Sequence, residues 1–204
     1  MDSNYNLSGL VSRIQDKLDD LEYPEDTITQ FINDAYYDIL GDEEYQFLEK
    51  YYQAATQESG ILPLPSNYQS LFSLTATNDK GTFALEYMSK EEFFAHDKES
   101  SAKNYHYTIF GDQLFYNLPS LVNETTPEGE EKFYDLKLYY LAKPKPLVNA
   151  KDKPLIPCEF SEALVLGALA RCERRRDNFD YAGIYEAKMD ELVTNMKLRY
   201  CPRQ

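Results

Sequence analysis

A chain of 204 residues, 43% of them hydrophobic, can bury one ordinary core, or a core plus a small inserted lobe. Its formal net charge of −14 repels nucleic-acid phosphates and argues against sequence-specific DNA binding, although DNA can still pass nearby without sticking. Cys158, Cys172 and Cys201 are odd in number and form no CxxC pair, which argues against a disulfide framework or a zinc site.

Residues 1–6 are polar and carry no basic cluster, so no signal peptide is expected. The longest apolar stretch, residues 163–170, is too short to span a bilayer. The expectation is a soluble protein made in a cytoplasm, with no membrane partner. Tyrosine occurs 18 times and tryptophan not at all. An apolar ring with a polar tip suits protein interfaces as well as core margins.

In chain order, Leu7, Leu10, Val11, Ile14, Leu18 and Leu21 follow the spacing of one helix face. After Pro24, Thr27 with Gln30 reads as a capping box for a second helix, whose buried face is Ile28, Phe31, Ile32, Ala35, Tyr36, Ile39 and Leu40. Gly41 stands where a left-handed C-terminal residue belongs. A third, shorter helix is expected to carry Tyr45, Leu48, Tyr51, Tyr52 and Ala55.

The pattern then changes. Residues 61–65 are extended because of Pro63 and Pro65. Residues 71–77 and 82–88 read as strands around a turn at 78–81. Ser89 with Glu92 caps a short helix near 90–98. Residues 105–110 and 113–118 flank Gly111–Asp112, a two-residue hairpin. An acidic loop at 123–131 precedes a last strand, 133–142, with Tyr134, Leu136, Leu138 and Tyr140 on one face.

Residues 143–157 hold four prolines and read as an extended connector. Two helices close the chain. One runs from Ala163 to Arg175; the other is capped by Asp180 and carries Tyr181, Tyr185, Met189, Leu192, Val193 and Met196 on one stripe. Lys197 to Gln204, with Pro202, is expected to leave the helix. The order predicts an α+β fold: a helical bundle from the N- and C-terminal helices with an inserted, mainly antiparallel β-lobe. The expected divisions are 1–60, 61–142, 143–157 and 158–204.

Chemistry-bearing patterns are few. His96 and His106 lack partners at nucleophile-triad or metal-ligand spacing, and there is no Gly-rich phosphate loop, GxSxG or HExxH. Carboxylate pairs such as Asp19–Asp20 and the run Asp42, Glu43, Glu44 fit solvated helix ends better than a metal site. No enzyme activity, metal or cofactor is expected. The charge pattern says more. Residues 16–58 contain thirteen acids opposed only by Lys17 and Lys50. Arg171, Arg174, Arg175 and Arg176 crowd the end of a later helix. Beyond ordinary capping, these arginines could meet acidic surface on a neighbouring copy, in a head-to-tail association that closes into a ring.

Several short motifs stand in a telling order: residues 31–35 (FINDA), Leu64–Pro65 with Tyr68, and the hairpin at 107–111 followed by 114–119. The series continues through 138–140, Lys143–Pro144, Pro146–Leu147 and Ile156–Pro157. With the element order, these motifs resemble the head-to-tail adaptor proteins of tailed bacteriophages, and are similar to the tail tubular protein A type of short-tailed phages. The resemblance covers nearly the whole chain; residues 123–131 have no counterpart in it.

That resemblance implies a virion structural protein in the head–tail neck. It implies a ring, commonly of twelve copies, between the portal protein and a tail or second neck-ring protein, with DNA passing through the lumen during ejection. It also implies a portal contact near Lys197, Arg199, Tyr200, Pro202 and Arg203. An acidic lumen would disfavour phosphate contacts, and the density of acids suggests Asp34, Asp38, Asp42, Glu43 and Glu44 as the channel face. The alternative reading is an acidic host-interaction protein that mimics DNA.

Overall fold

The computed structural model describes residues 5–20, 23–41, 43–56, 60–79, 81–95, 105–118 and 134–201. The described helices are α1 (Leu7–Leu18), α2 (Glu25–Leu40), α3 (Lys90–Ala95), α4 (Ser161–Arg175) and α5 (Phe179–Tyr200). The strands are β1 (Glu49–Ala55), β2 (Ile61–Pro63), β3 (Tyr68–Asn78), β4 (Gly81–Ala84), β5 (Glu86–Tyr87), β6 (His106–Phe110), β7 (Gln113–Asn117) and β8 (Asp135–Ala142). The fold is α+β. The contacts divide the chain into a helical unit, Met1–Leu48 with Pro144–Gln204, and a β unit, Glu49–Lys143.

In the helical unit, α4 is central. Residues 163–170 are buried on every side, as expected of a helix that is apolar all round. It packs against α1, α2 and α5. Close approach depends on Gly167, whose missing Cβ would lie 2.8 Å from Ala35 Cβ and 2.9 Å from Met189 Sδ. Against α4, α1 buries Leu7, Leu10, Val11, Ile14 and Leu18, and Glu162 of α4 pairs with both Arg13 and Lys17 of α1. The first N–H groups of α1 have no partner within the helix. Asn6 accepts from Gly9, and Leu7 and Ser8 donate to the carbonyls of Asp152 (2.9 Å) and Ala150 (3.1 Å). The proline-rich connector is thus bonded to the start of α1.

The expected cap of α2 does not form. The helix starts at Glu25 directly after Pro24, and Thr27 lies within its first turn. Glu25 and Asp26 place negative charge at the positive end of the helix dipole, which supports the start without a side-chain cap. Gly41 has the positive φ expected of it (+31°), although its ψ of −129° is not that of a left-handed helix residue. In α5 the inward stripe begins at Ala182 and continues through Tyr185, Met189, Leu192, Val193 and Met196. Tyr181 was expected on that stripe, but it sits one residue, about 100° of helix rotation, away and is exposed. The helix does not end near Lys197 but runs to Tyr200, and the Cys201 N–H still bonds the Lys197 carbonyl at 2.9 Å.

The expected third helix is the largest correction. Residues 46–48 form a single 3₁₀ turn and 49–55 are strand β1, paired antiparallel with β8 from Glu49↔Leu141 to Ala55↔Asp135. The aromatic spacing over 45–55 fits a helix face, but Tyr52 and Ala54 fit a half-buried strand equally well. A seven-pair ladder on a β-prone partner decides the matter.

The β unit has two four-stranded sheets, ordered β1-β8-β3-β4 and β2-β7-β6-β5. Every pairing is antiparallel except β5 with β6. The single run expected over 82–88 is split at Leu85. β4 belongs to the first sheet and β5 to the second, which lets the chain pass between them. Leu74, Ala76, Leu136 and Leu138 of the first sheet meet Leu62, Leu114 and Tyr116 of the second in one apolar cluster. The alternation Tyr134, Leu136, Leu138, Tyr140 faces inward as expected. The Gly111–Asp112 hairpin joins β6 to β7, with Gly111 at φ +64°. Ser89 caps α3 as expected: its hydroxyl accepts from the Glu92 N–H (3.3 Å) and donates to the Glu92 carboxylate (2.9 Å). The acidic loop 123–131 and His96 lie outside the described residues.

Candidate functional site

The four arginines lie at the C-terminal end of α4, where the helix dipole favours cations. The fold spends two of them on acids of the early acidic segment, residues 16–58. Arg171 pairs with Asp38 of α2 and donates to the Gly167 carbonyl at 2.8 Å. Arg176 pairs with Asp20, lies 3.9 Å from Glu173 and stacks over the Tyr23 ring at 5.4 Å. Arg174 reaches across to Glu186 of α5 at 2.7 Å, with more than half its side chain in solvent. Arg175 is exposed and donates to the Thr27 hydroxyl at 3.4 Å. The sign-separated segments of the sequence therefore meet inside one subunit, leaving Arg174 and Arg175 as the outward part of the cluster.

The acids expected to face a channel are divided in the same way. On α2, Asp34 and Asp38 are both exposed, and Asp38 holds Arg171. Glu43 is half-buried and pairs with Lys197 at 2.5 Å; Glu44 is exposed. Asp42 lies outside the described residues.

The end of α5 carries the residues expected at a portal. Lys197 is engaged with Glu43, while Arg199 and the Tyr200 hydroxyl both contact Glu159, at 2.7 and 2.8 Å. The Tyr200 ring also packs edge-on against Phe47 and Phe160. Because its hydroxyl donates to Glu159, Tyr200 holds its proton above the ordinary tyrosine range. This end of the helix is docked through residue 201 rather than trailing away; Pro202 and Arg203 lie outside the described residues.

Sequence reasoning missed a set of exposed aromatic and aliphatic side chains. On the outer face of the first sheet, Tyr51 (67% exposed) and Tyr139 form a cross-strand pair with ring centroids 6.4 Å apart. Phe72 is exposed where the β3 register shifts. Along α5, Phe179, Tyr181, Ile184 and Leu198 point outward. The available signal was Tyr51 alternating with Tyr52, which a helical reading of that segment obscured.

Among the described residues no group of three or more His, Cys, Asp or Glu side chains is placed to hold a metal ion. No described helix is long and apolar enough to cross a membrane. The three cysteines are unbridged; burial pushes the Cys172 thiol up to about 11, which keeps it protonated and unreactive near neutral pH. What the described surface presents is exposed arginines, exposed acids and exposed rings.

Comparison with known families agrees with that character. The family model described as SU10 adaptor protein matches residues 5–201. None of the curated proteins matches the chain.

Proposed function

The chain belongs to the SU10 adaptor protein family, and from that premise we propose that it forms a ring between the portal and the tail of a phage virion, through which DNA passes during ejection. Membership implies a structural adaptor of a phage, one that associates with copies of itself and with other head or tail proteins rather than catalysing a reaction. The finer reading has the chain as a cyclic homo-oligomer, of twelve copies by analogy with adaptors of the short-tailed type, seated on the portal.

The observation that carries this reading is the extent of the family match, which takes in both the helical unit and the β unit. The surfaces support it. Arg174 and Arg175 are the outward arginines and form the proposed contact with a neighbouring copy, with Arg171 and Arg176 behind them as its support. Asp34 and Glu44 supply the outward negative charge of the proposed channel face, with Asp38 and Glu43 behind them in ion pairs. Such a surface disfavours phosphate and lets DNA slide past. Lys197, Arg199 and Tyr200 form the described part of the proposed portal contact, to which Pro202 and Arg203 of the sequence also belong.

The test is co-sedimentation of the purified chain with portal rings encoded by the same genome, followed by electron microscopy. A ring on one portal face supports the adaptor position and yields its symmetry. Failure to bind the portal, alone or with the other neck proteins, removes this position and brings forward the host-interaction alternative.

A further inference from the structure

Among the described residues, the first sheet of the β unit has two open edges. Among the described residues β1 pairs with β8 alone, and β4 with β3 alone. An edge strand presents a row of N–H and C=O groups that can template another strand, and proteins usually blunt it with proline, bulges, charge or shortness. The second sheet does so: its edges are β2, three residues ending in Pro63, and β5, two residues long. β1 is seven residues long, has no proline and no register shift, and carries Glu49 and Lys50 at one end only.

The phase of each ladder identifies the outward groups. The Thr56 N–H donates to the Tyr134 carbonyl at 2.8 Å, which continues the β1–β8 register by one pair. Hydrogen-bonded and non-bonded pairs alternate in an antiparallel ladder. Lys50, Tyr52 and Ala54 therefore direct their backbone groups at β8, and Tyr51, Gln53 and Ala55 direct theirs at the open edge. On β4 the Leu85 N–H donates to the Leu74 carbonyl at 2.9 Å, so Thr82 and Ala84 face away from β3 by the same alternation.

Strand direction then selects the partner. The order β1-β8-β3-β4 is antiparallel at every step, so β1 and β4 run in opposite directions. With an even number of alternating strands, copies related by rotation about one axis bring β4 of one against β1 of the next in antiparallel register. A two-fold pairing of β1 with itself would stop at two copies, whereas the head-to-tail pairing repeats and can close. Side chains agree. Tyr51, Tyr139, Thr75 and Ala84 share one face of the sheet, and small Thr82 and Ala84 leave room beside the exposed Tyr51 ring.

We propose that this sheet is continuous between copies, with β4 of one subunit adding to the open edge of β1 in the next. The proposal rests on the adaptor reading for its oligomer and adds the surface that joins its subunits. The test is amide hydrogen exchange followed by mass spectrometry on the free chain and on the chain assembled with portal rings. The expected result is exchange at least tenfold slower in the assembly for the peptides covering 49–56 and 81–85. Gln53→Pro removes an N–H that faces away from β8 and so leaves the internal ladder intact; it should keep the free chain folded and weaken assembly at least tenfold. Assembly in which both peptides exchange as in the free chain overturns the edge pairing and leaves the adaptor reading standing. Failure of the wild-type chain to assemble, alone or on portal rings, overturns both.

Discussion

Asn33 and Leu147 are joined by two hydrogen bonds across 114 positions of sequence. The Leu147 N–H donates to Asn33 Oδ1 at 2.8 Å, and Asn33 Nδ2 donates to the Leu147 carbonyl at 3.0 Å. One side-chain amide thus mimics a strand partner for a connector that has none. It fastens the returning chain to α2 where the inserted unit ends.

Replacing Asn33 with alanine leaves both backbone groups of Leu147 without that partner. The expected loss is ~1–3 kcal/mol, read from the midpoint of urea unfolding. Asn33→Asp should be as harmful, because a carboxylate cannot donate to the Leu147 carbonyl. Equal stability of the alanine variant and the wild type would mean that the connector is held by its buried residues, Leu147, Pro154 and Ile156, and by its bonds to α1 and Tyr36, without a contribution from Asn33.

Gly167 sets the spacing of three helices. Alanine there gains helix propensity, but its Cβ lands within 3 Å of Ala35 Cβ, which is fixed to the α2 backbone. The net effect expected for Gly167→Ala is a loss of about 1–2 kcal/mol, and Gly167→Val should lose more. Adding Ala35→Gly should return part of that loss, so the double-mutant cycle should show coupling above ~0.5 kcal/mol.

The Tyr36 hydroxyl accepts from the Leu155 N–H at 2.8 Å, and burial pushes its ionisation up to about 12. The unfolded chain releases that proton near pH 10. A group whose folded pKa is raised contributes stability that is complete below the unfolded value and is lost as pH rises through the folded value. Stability should therefore fall between about pH 10 and 12. Tyr5 and Tyr45, also raised by burial, push in the same direction. Tyr36→Phe should lower stability at pH 7 and flatten the alkaline slope; an unchanged slope would locate the alkaline transition in other groups.

The arginines should separate by measurement. Arg176 joins Asp20, Glu173 and the Tyr23 ring, so Arg176→Ala should lower stability by ~1 kcal/mol; for Arg174→Ala the expected loss is smaller, within ~0.5 kcal/mol. The double variant Arg174→Glu with Arg175→Glu should melt close to the wild type but assemble poorly in the sedimentation assay. Normal assembly of that variant would remove the arginines from the proposed contact between copies.

Much of the fold was legible along the chain because its signals are local. Helical periodicity placed α1 and α2, an apolar run closed by arginines placed α4, and turn chemistry placed the Gly111–Asp112 hairpin and the Ser89–Glu92 cap. The α2 start was misread because Pro24 with two acids replaces a side-chain cap, a choice that Thr27 and Gln30 mask. Tyr181 was misplaced because the α5 stripe starts from a small residue, Ala182, which carries a weaker signal than the tyrosine beside it.

The sequence by itself determined the α+β class, the return of the chain to a helical unit and the acidic character of its surface. These follow from side-chain periodicity, backbone restrictions and charge, each of which acts over a few residues. Only the tertiary structure decided that residues 49–55 are strand, because the ladder that makes them so comes from residues 135–141. It alone decided which arginines face outward, because Asp20 and Asp38 take up Arg176 and Arg171 through pairings some 130 to 160 positions apart. It alone revealed β1 as a long open edge among the described residues, because an edge is defined by which neighbours a strand lacks once the other described strands are paired.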